Sequence, residues 1–112
     1  MPRRIRDDVQ FAGVSEMTVY AIVQLKIHDR PTYDRYMDRF MPVFEKFAGK
    51  VLAADDKPKV LEGKWDANRV VLLSFPDKQS FFAWAGSPAY QEIAKDRIAS
   101  TESVVLLAEG LQ

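Results

Sequence analysis

Cysteine is absent from this 112-residue chain, and histidine occurs once, at His28. The first absence excludes disulfides, thiolate nucleophiles, iron–sulfur centres and cysteine-based zinc sites. The second leaves a histidine-built metal or haem site without a second imidazole, so no metal and no cofactor are expected. Surplus charge is missing too: Lys+Arg and Asp+Glu each number 16, a formal net charge of zero. Such a chain has little attraction for phosphate backbones or anionic lipid, so nucleic acid and membrane are not expected partners. No apolar run reaches the roughly 18 residues of a membrane-spanning helix. The start of the chain shows no apolar stretch with a small-residue cleavage site, which makes the cytoplasm the expected compartment. A Gly-rich phosphate loop, a Gly-x-Ser-x-Gly elbow and a Walker pattern are all lacking.

What remains is an ordinary globular composition, 47% hydrophobic and 29% charged, with a length suited to one domain. Residues 1–17 stand apart, with Arg3, Arg4, Arg6, Asp7, Asp8 and Glu16 around a weak apolar patch at Phe11, Ala12 and Val14. They read as an N-terminal extension or arm, and residues 18–112 as the domain.

Thr18 to His28 reads as a strand. Its odd positions, Val19 to Ile27, are all apolar, and its even positions, Tyr20 to His28, are mixed. Residues 31–48 carry Tyr33, Tyr36, Met37, Phe40, Val43, Phe44 and Phe47 in one stripe at helical spacing. Asp29 or Thr32 is placed to cap that helix, Gly49 to end it in a left-handed conformation, and Pro42 to kink it. Lys50 to Asp55 is a short strand, Lys59 to Trp65 a further extended segment, and Arg69 to Phe75 a central strand with apolar residues on both faces. Pro76-Asp77 opens a helical region that Gly86-Ser87-Pro88 splits in two, Ser87 capping the second piece. Ser103 to Glu109 is the closing strand. The order β-α-β-(β)-β-α-β predicts an α+β, ferredoxin-like antiparallel sheet with its helices on one face.

Two helical segments shelter only one face of such a sheet. Whichever face of residues 70–75 and 104–109 packs on them, the other still shows several Val, Leu or Phe, more than a monomer usually exposes. Covering several hundred Å² of that surface at about 25 cal/mol per Å² is worth on the order of 10 kcal/mol before association costs. A homodimer packing two sheets face to face about a twofold axis is therefore expected.

Residues 18–110 resemble the DUF1330 family of small bacterial proteins in the dimeric α+β barrel superfamily. The resemblance is carried by Asp29, Tyr33 and Tyr36, then Pro42 and Phe47-Ala48-Gly49-Lys50. It continues through Val60-Leu61-Glu62-Gly63-Lys64-Trp65, Arg69-Val70-Val71, Phe75-Pro76 and Trp84. Ser87-Pro88-Ala89-Tyr90-Gln91, Arg97 and Glu109-Gly110 complete it. It implies a fold and a dimer, together a dimeric α+β barrel, rather than an activity, because the wider superfamily spans cofactor-independent monooxygenases, haem-degrading enzymes, lactone isomerases and proteins of no known chemistry.

Several side chains are candidates for chemistry. His28 is placed either as a general base titrating near neutral pH or as a strand-end histidine in water. Glu62 and Arg69 either pair across neighbouring strands, or Arg69 grips a substrate carboxylate while Trp65 walls an apolar pocket. Trp84, Tyr90 and Arg97 lie at helical spacing, as core or as one side of a ligand site, with Glu109 or Glu62 as possible partners of Arg97. Asp55 and Asp56 are adjacent and would point to opposite faces of a strand, which argues against a paired acid/base site. The mixed polar face at Tyr20, Gln24, Lys26 and His28, together with what the resemblance implies, leads to the expectation of a cofactor-independent enzyme, monooxygenase- or isomerase-like, acting on a small organic molecule. The alternative is a non-catalytic ligand-binding or structural dimer.

Overall fold

The computed structural model describes residues 17–111; the proposed arm, apart from Met17, lies outside them. The elements are β1 (Val19–Ile27), α1 (Arg30–Phe44), β2 (Lys50–Asp55), β3 (Arg69–Phe75), α2 (Lys78–Ala85), α3 (Pro88–Ser100) and β4 (Thr101–Glu109). The strands form one antiparallel sheet in the order β2-β3-β1-β4, the ferredoxin-like arrangement. No helix among the described residues is long and apolar enough to cross a membrane.

Register follows the alternation of β1. Ala21, Val23 and Leu25 face Leu73, Val71 and Arg69 on one side and Leu107, Val105 and Ser103 on the other, so these rows share the helix-covered face. Ile22 and Gln24, with Leu72, Val70, Leu106 and Val104 beside them, share the opposite face. The buried core is aromatic: Tyr33, Tyr36, Phe40 and Phe44 from α1 meet Phe75, Phe81, Trp84 and Tyr90. Trp84 stacks on Phe75 at 5.5 Å and meets Phe44 edge-on at 5.3 Å, arrangements that favour aromatic pairs beyond their buried area.

The helix ends obey their local chemistry. The Asp29 carboxylate accepts from the Thr32 backbone N–H at 3.3 Å and its hydroxyl at 2.8 Å, which settles the cap on Asp29 rather than Thr32. Asp77 and Ser87 cap α2 and α3 by accepting from the N–H groups of Ser80 and Tyr90. Helix α1 stops at Phe44, short of residue 48. Beyond the cap at Glu45, Lys46 and Phe47 donate to carbonyls only three residues back, the tightened last turn common at helix ends.

Gly49 departs from the expected left-handed exit, since Gly63 alone of the described glycines has positive φ. Its role is steric: a Cβ at Gly49 would lie 2.6 Å from ring atoms of both Phe44 and Phe75. The segment 59–65 also departs from expectation, forming no strand. It belongs instead to the β2–β3 connection, which is tied to the outer face of β1 by side chains. Trp65 Nε1 donates to Gln24 Oε1 at 3.0 Å, Lys26 pairs with Asp66 at 3.2 Å, and Asn68 bonds both backbone groups of Ile27.

Candidate functional site

A cavity of about 640 Å³ lies between the helices and the covered face of the sheet, within the range of about 300–1,000 Å³ usual for small-molecule sites. Its walls are mostly aliphatic and aromatic: Val23, Val71, Met37, Phe40, Phe47 and Trp84 are among them. Around it α1 and α3 rest on each other, and the edge strand β2 is exposed along its whole length.

The polar groups of the cavity come as two guanidinium–phenol pairs. On β3, Arg69 is only 9% exposed; its Nε donates to Tyr33 Oη at 3.0 Å and its Nη1 to Asp56 Oδ1 at 2.6 Å. Asp56 also receives Arg30 at 3.2 Å, so its carboxylate bridges two arginines just past the end of β2. On α3, Arg97 donates from Nε to Tyr90 Oη at 3.2 Å and from Nη1 to Ser103 Oγ at 3.3 Å. Tyr90 Oη lies 2.8 Å from Tyr36 Oη. The two pairs sit at one end of the cavity, because Arg69 and Ser103 flank Leu25 in a single row across the sheet.

Burial keeps Tyr36 and Tyr33 protonated. Burial pushes Tyr36 well above the usual phenol range, reinforced by Tyr90. Burial also raises Tyr33, partly opposed by Arg69. The hydrogen bond from Arg69 holds Asp56 below its ordinary value, against a smaller opposing effect of burial. The Trp84 indole N–H is buried without a partner among the described residues. A site so furnished offers hydrogen-bond donors to an oxygen atom. Among the described residues, no three His, Asp or Glu side chains gather as a metal's ligand set.

The structure brings three of the six candidate residues together, Arg69, Tyr90 and Arg97, all of which line the cavity. The other three lie elsewhere. His28 is exposed beyond the end of β1 and Glu62 is exposed in the β2–β3 connection. Trp65 packs on Gln24, across the sheet from the cavity, because even positions of β1 face away from the helices. Arg69 takes Asp56 as its partner rather than Glu62, since that connection carries Glu62 out into solvent. Arg97 takes Tyr90 and Ser103 rather than Glu109 or Glu62. Glu109 lies at the far end of β4, opposite Val19, and pairs with Lys78. Sequence reasoning missed Tyr33, Tyr36 and Asp56. Two hydroxyls inside an otherwise apolar helical stripe were the available signal for the tyrosines, whereas nothing local marks Asp56.

Fold and site together define a ferredoxin-like α+β domain with an apolar cavity between its layers. The chain matches the profile of DUF1330, a domain of unknown function, over residues 18–111, and it belongs to that family. Among solved structures it is similar to a protein of unknown function from Rhodopseudomonas palustris, with 22% identity, 87% of this chain and 85% of that one covered, and a TM-score of 0.75. It is similar to a cofactor-independent oxygenase from Streptomyces nogalater (15% identity, 86% and 95% covered, TM-score 0.63). It is also similar to a dimeric ferredoxin-like protein of unknown function from Jannaschia (19% identity, 83% and 99% covered, TM-score 0.63). No curated protein matches the chain significantly. At these identities the likenesses establish the shared fold.

Proposed function

We propose that the protein is a homodimeric enzyme that acts on a small organic molecule without a cofactor, with the cavity between helices and sheet as its active site. The observation that carries this reading is the pairing of a roomy apolar chamber with donors gathered at one end: Arg97 with Tyr90 and Tyr36, Arg69 with Tyr33. Prearranged donors in a water-poor chamber stabilise an oxyanion as it develops, and removing one such donor typically costs about 100-fold to 1,000-fold in rate. An isomerase and an oxygenase that work through an enolate both need that stabilisation. The likeness to the Streptomyces oxygenase supports the cofactor-independent part.

The proton acceptor is the constraint on mechanism. Glu45 is the only carboxylate among the lining residues, and it follows Tyr36 by nine positions along α1 and its cap. At 1.5 Å per residue the two lie about 13 Å apart along the axis, too far for Glu45 to serve an oxygen held at Tyr36. A substrate that loses a proton beside Tyr36 therefore has to pass it to water.

The dimer rests on the outer face of the sheet. Val104 and Leu106 are 54% and 47% exposed there, continuous with Ile22, Val70 and Leu72, and the Jannaschia relative is dimeric.

The test is a thermal-shift screen of organic acids and aromatic compounds on the wild type and on Arg69→Ala, Arg97→Ala and His28→Ala. Hits are then incubated aerobically with the protein and followed by mass spectrometry. Stabilisation lost in Arg97→Ala or Arg69→Ala but kept in His28→Ala, with product formed, is expected. Stabilisation without product on a broad panel would replace the enzyme with a ligand-binding module. Loss in His28→Ala alone would move the site out of the cavity.

A further inference from the structure

The two guanidinium–phenol pairs are chemically unequal. Arg69 is already neutralised, since Asp56 accepts from its Nη1 at 2.6 Å and the Tyr33 hydroxyl from its Nε. Arg97 is partly buried and lines the same cavity, yet its partners are two neutral hydroxyls, Tyr90 Oη and Ser103 Oγ. Among the described residues no carboxylate pairs with it. A guanidinium withdrawn from water without a counter-charge is costly, and that cost is relieved by an anion that enters with the right geometry.

The hydroxyls beside Arg97 add to this asymmetry. Tyr36 and Tyr90 share one hydrogen bond at 2.8 Å, which uses one of their two protons whichever phenol donates. The other proton has no acceptor within the pair. Tyr33, accepting from Arg69, likewise keeps its own proton to give. Trp84, another wall residue, has an indole N–H without a partner among the described residues. Glu45 and Lys50 are the remaining charged residues of the lining, and both are exposed. Among the described residues, the end of the cavity at Arg97 thus presents several donors, one positive charge without a carboxylate partner and no carboxylate free of an arginine.

Resting on the reading of this cavity as the substrate site, we propose that the substrate is a monoanion, an aromatic or branched apolar acid whose carboxylate or enolate oxygen is anchored by Arg97. The unclaimed proton of the Tyr36–Tyr90 pair donates to the same oxygen. Arg69, its charge already met by Asp56, holds the β2–β3 connection and fixes Tyr33 at the cavity wall. The apolar part of the ligand lies against Phe40, Trp84 and Val71.

The experiment compares a naphthalene carboxylate with the corresponding carboxamide, of the same shape but neutral, by calorimetric titration of the full chain. The wild type is expected to bind the carboxylate about 10-fold to 100-fold more tightly, the usual margin for a hydrogen bond to a charged group. Arg97→Met is expected to erase that preference while retaining carboxamide binding, and Arg97→Lys to restore part of it. Lys78→Met, a charge change outside the cavity lining, is expected to keep it. If Arg97→Met does not fold, Arg97→Gln and Arg97→Lys carry the same comparison. Equal binding of both compounds to the wild type would overturn the anion anchor and leave the cavity reading standing. A preference that survives in Arg97→Met would overturn the anchor at Arg97, and its loss in Arg69→Met instead would place the anchor at Arg69. Binding of neither compound up to its solubility limit would overturn both readings.

Discussion

Arg69 shows how a single side chain ties sequence-distant parts of this protein together. It sits at the first position of β3, touches α1 through Tyr33 and reaches the end of β2 through Asp56. Removing it as Arg69→Met leaves the Tyr33 hydroxyl without that donor and frees Asp56 and its connection. Asp56 is half-exposed and finds water, so the expected loss is about 1–3 kcal/mol of unfolding free energy rather than the larger cost of a stranded buried charge, checked by urea denaturation. The same contact sets an acid response. Asp56 titrates lower in the folded chain than in the unfolded one, so its contribution is complete above its ordinary value of 3.8 and disappears as pH falls through the folded value. Asp29, bonded to Thr32, and Asp96, bonded to Arg35 and Arg39, are lowered in the same sense. Wild-type stability is therefore expected to drop on acidification below about pH 4, and more shallowly in Asp56→Asn, which denaturant titrations across that range will show. At the Tyr36–Tyr90 pair, Tyr36→Phe removes one buried hydroxyl contact and should lower stability by about 0.5–1.5 kcal/mol in the same assay.

Elements here depend on small residues at their ends. Gly49, where the chain passes from α1 into β2, leaves space that the rings of Phe44 and Phe75 occupy, so Gly49→Ala must displace one of them. The expected cost is about 1–3 kcal/mol, with a lowered melting temperature. Ser87→Ala removes the acceptor for the Tyr90 N–H at the start of α3 and should cost about 1 kcal/mol. It also loosens the turn that positions Tyr90, so reduced ligand stabilisation is expected alongside. Most of this level was legible in the chain. The odd positions of β1 and the aromatic stripe of α1 follow from alternation and helical spacing, and Ser87-Pro88 marks the start of α3 by its own chemistry. Two local expectations failed because tertiary contact decided them. Gly49 answers to rings packed against it rather than to backbone conformation. Residues 59–65, extended by composition, pair with no strand; Trp65 at their end bonds Gln24 on the outer face, and Asp66 and Asn68 beyond it bond Lys26 and the Ile27 backbone. The candidate site was half legible for the same reason. Arg69, Tyr90 and Arg97 stood out as charge or hydroxyl near apolar rows, whereas the Asp56 partnership spans a loop whose path no periodicity encodes.

At the scale of the molecule, the unsheltered face of the sheet is the dominant feature. Leu106→Asp places a charge in the middle of that face, where a folded monomer tolerates it and a sheet-on-sheet interface does not. Analytical ultracentrifugation is expected to show a wild-type dimer and a Leu106→Asp monomer with unchanged secondary structure; a monomeric wild type that binds no hydrophobic dye would remove the case for association. The alternation of β1 has a wider consequence. Ala21, Val23 and Leu25 line the chamber while Ile22 and Gln24, one step away on the same ribbon, meet whatever covers the outside. Under the proposed ligand site and dimer, selection can therefore edit the two sides separately: drift at odd positions would retune which molecule is accepted, and drift at even positions self-recognition. Losing one residue between positions 20 and 25 would transpose both at a stroke, so substitutions are tolerated in this stretch far more readily than changes of length.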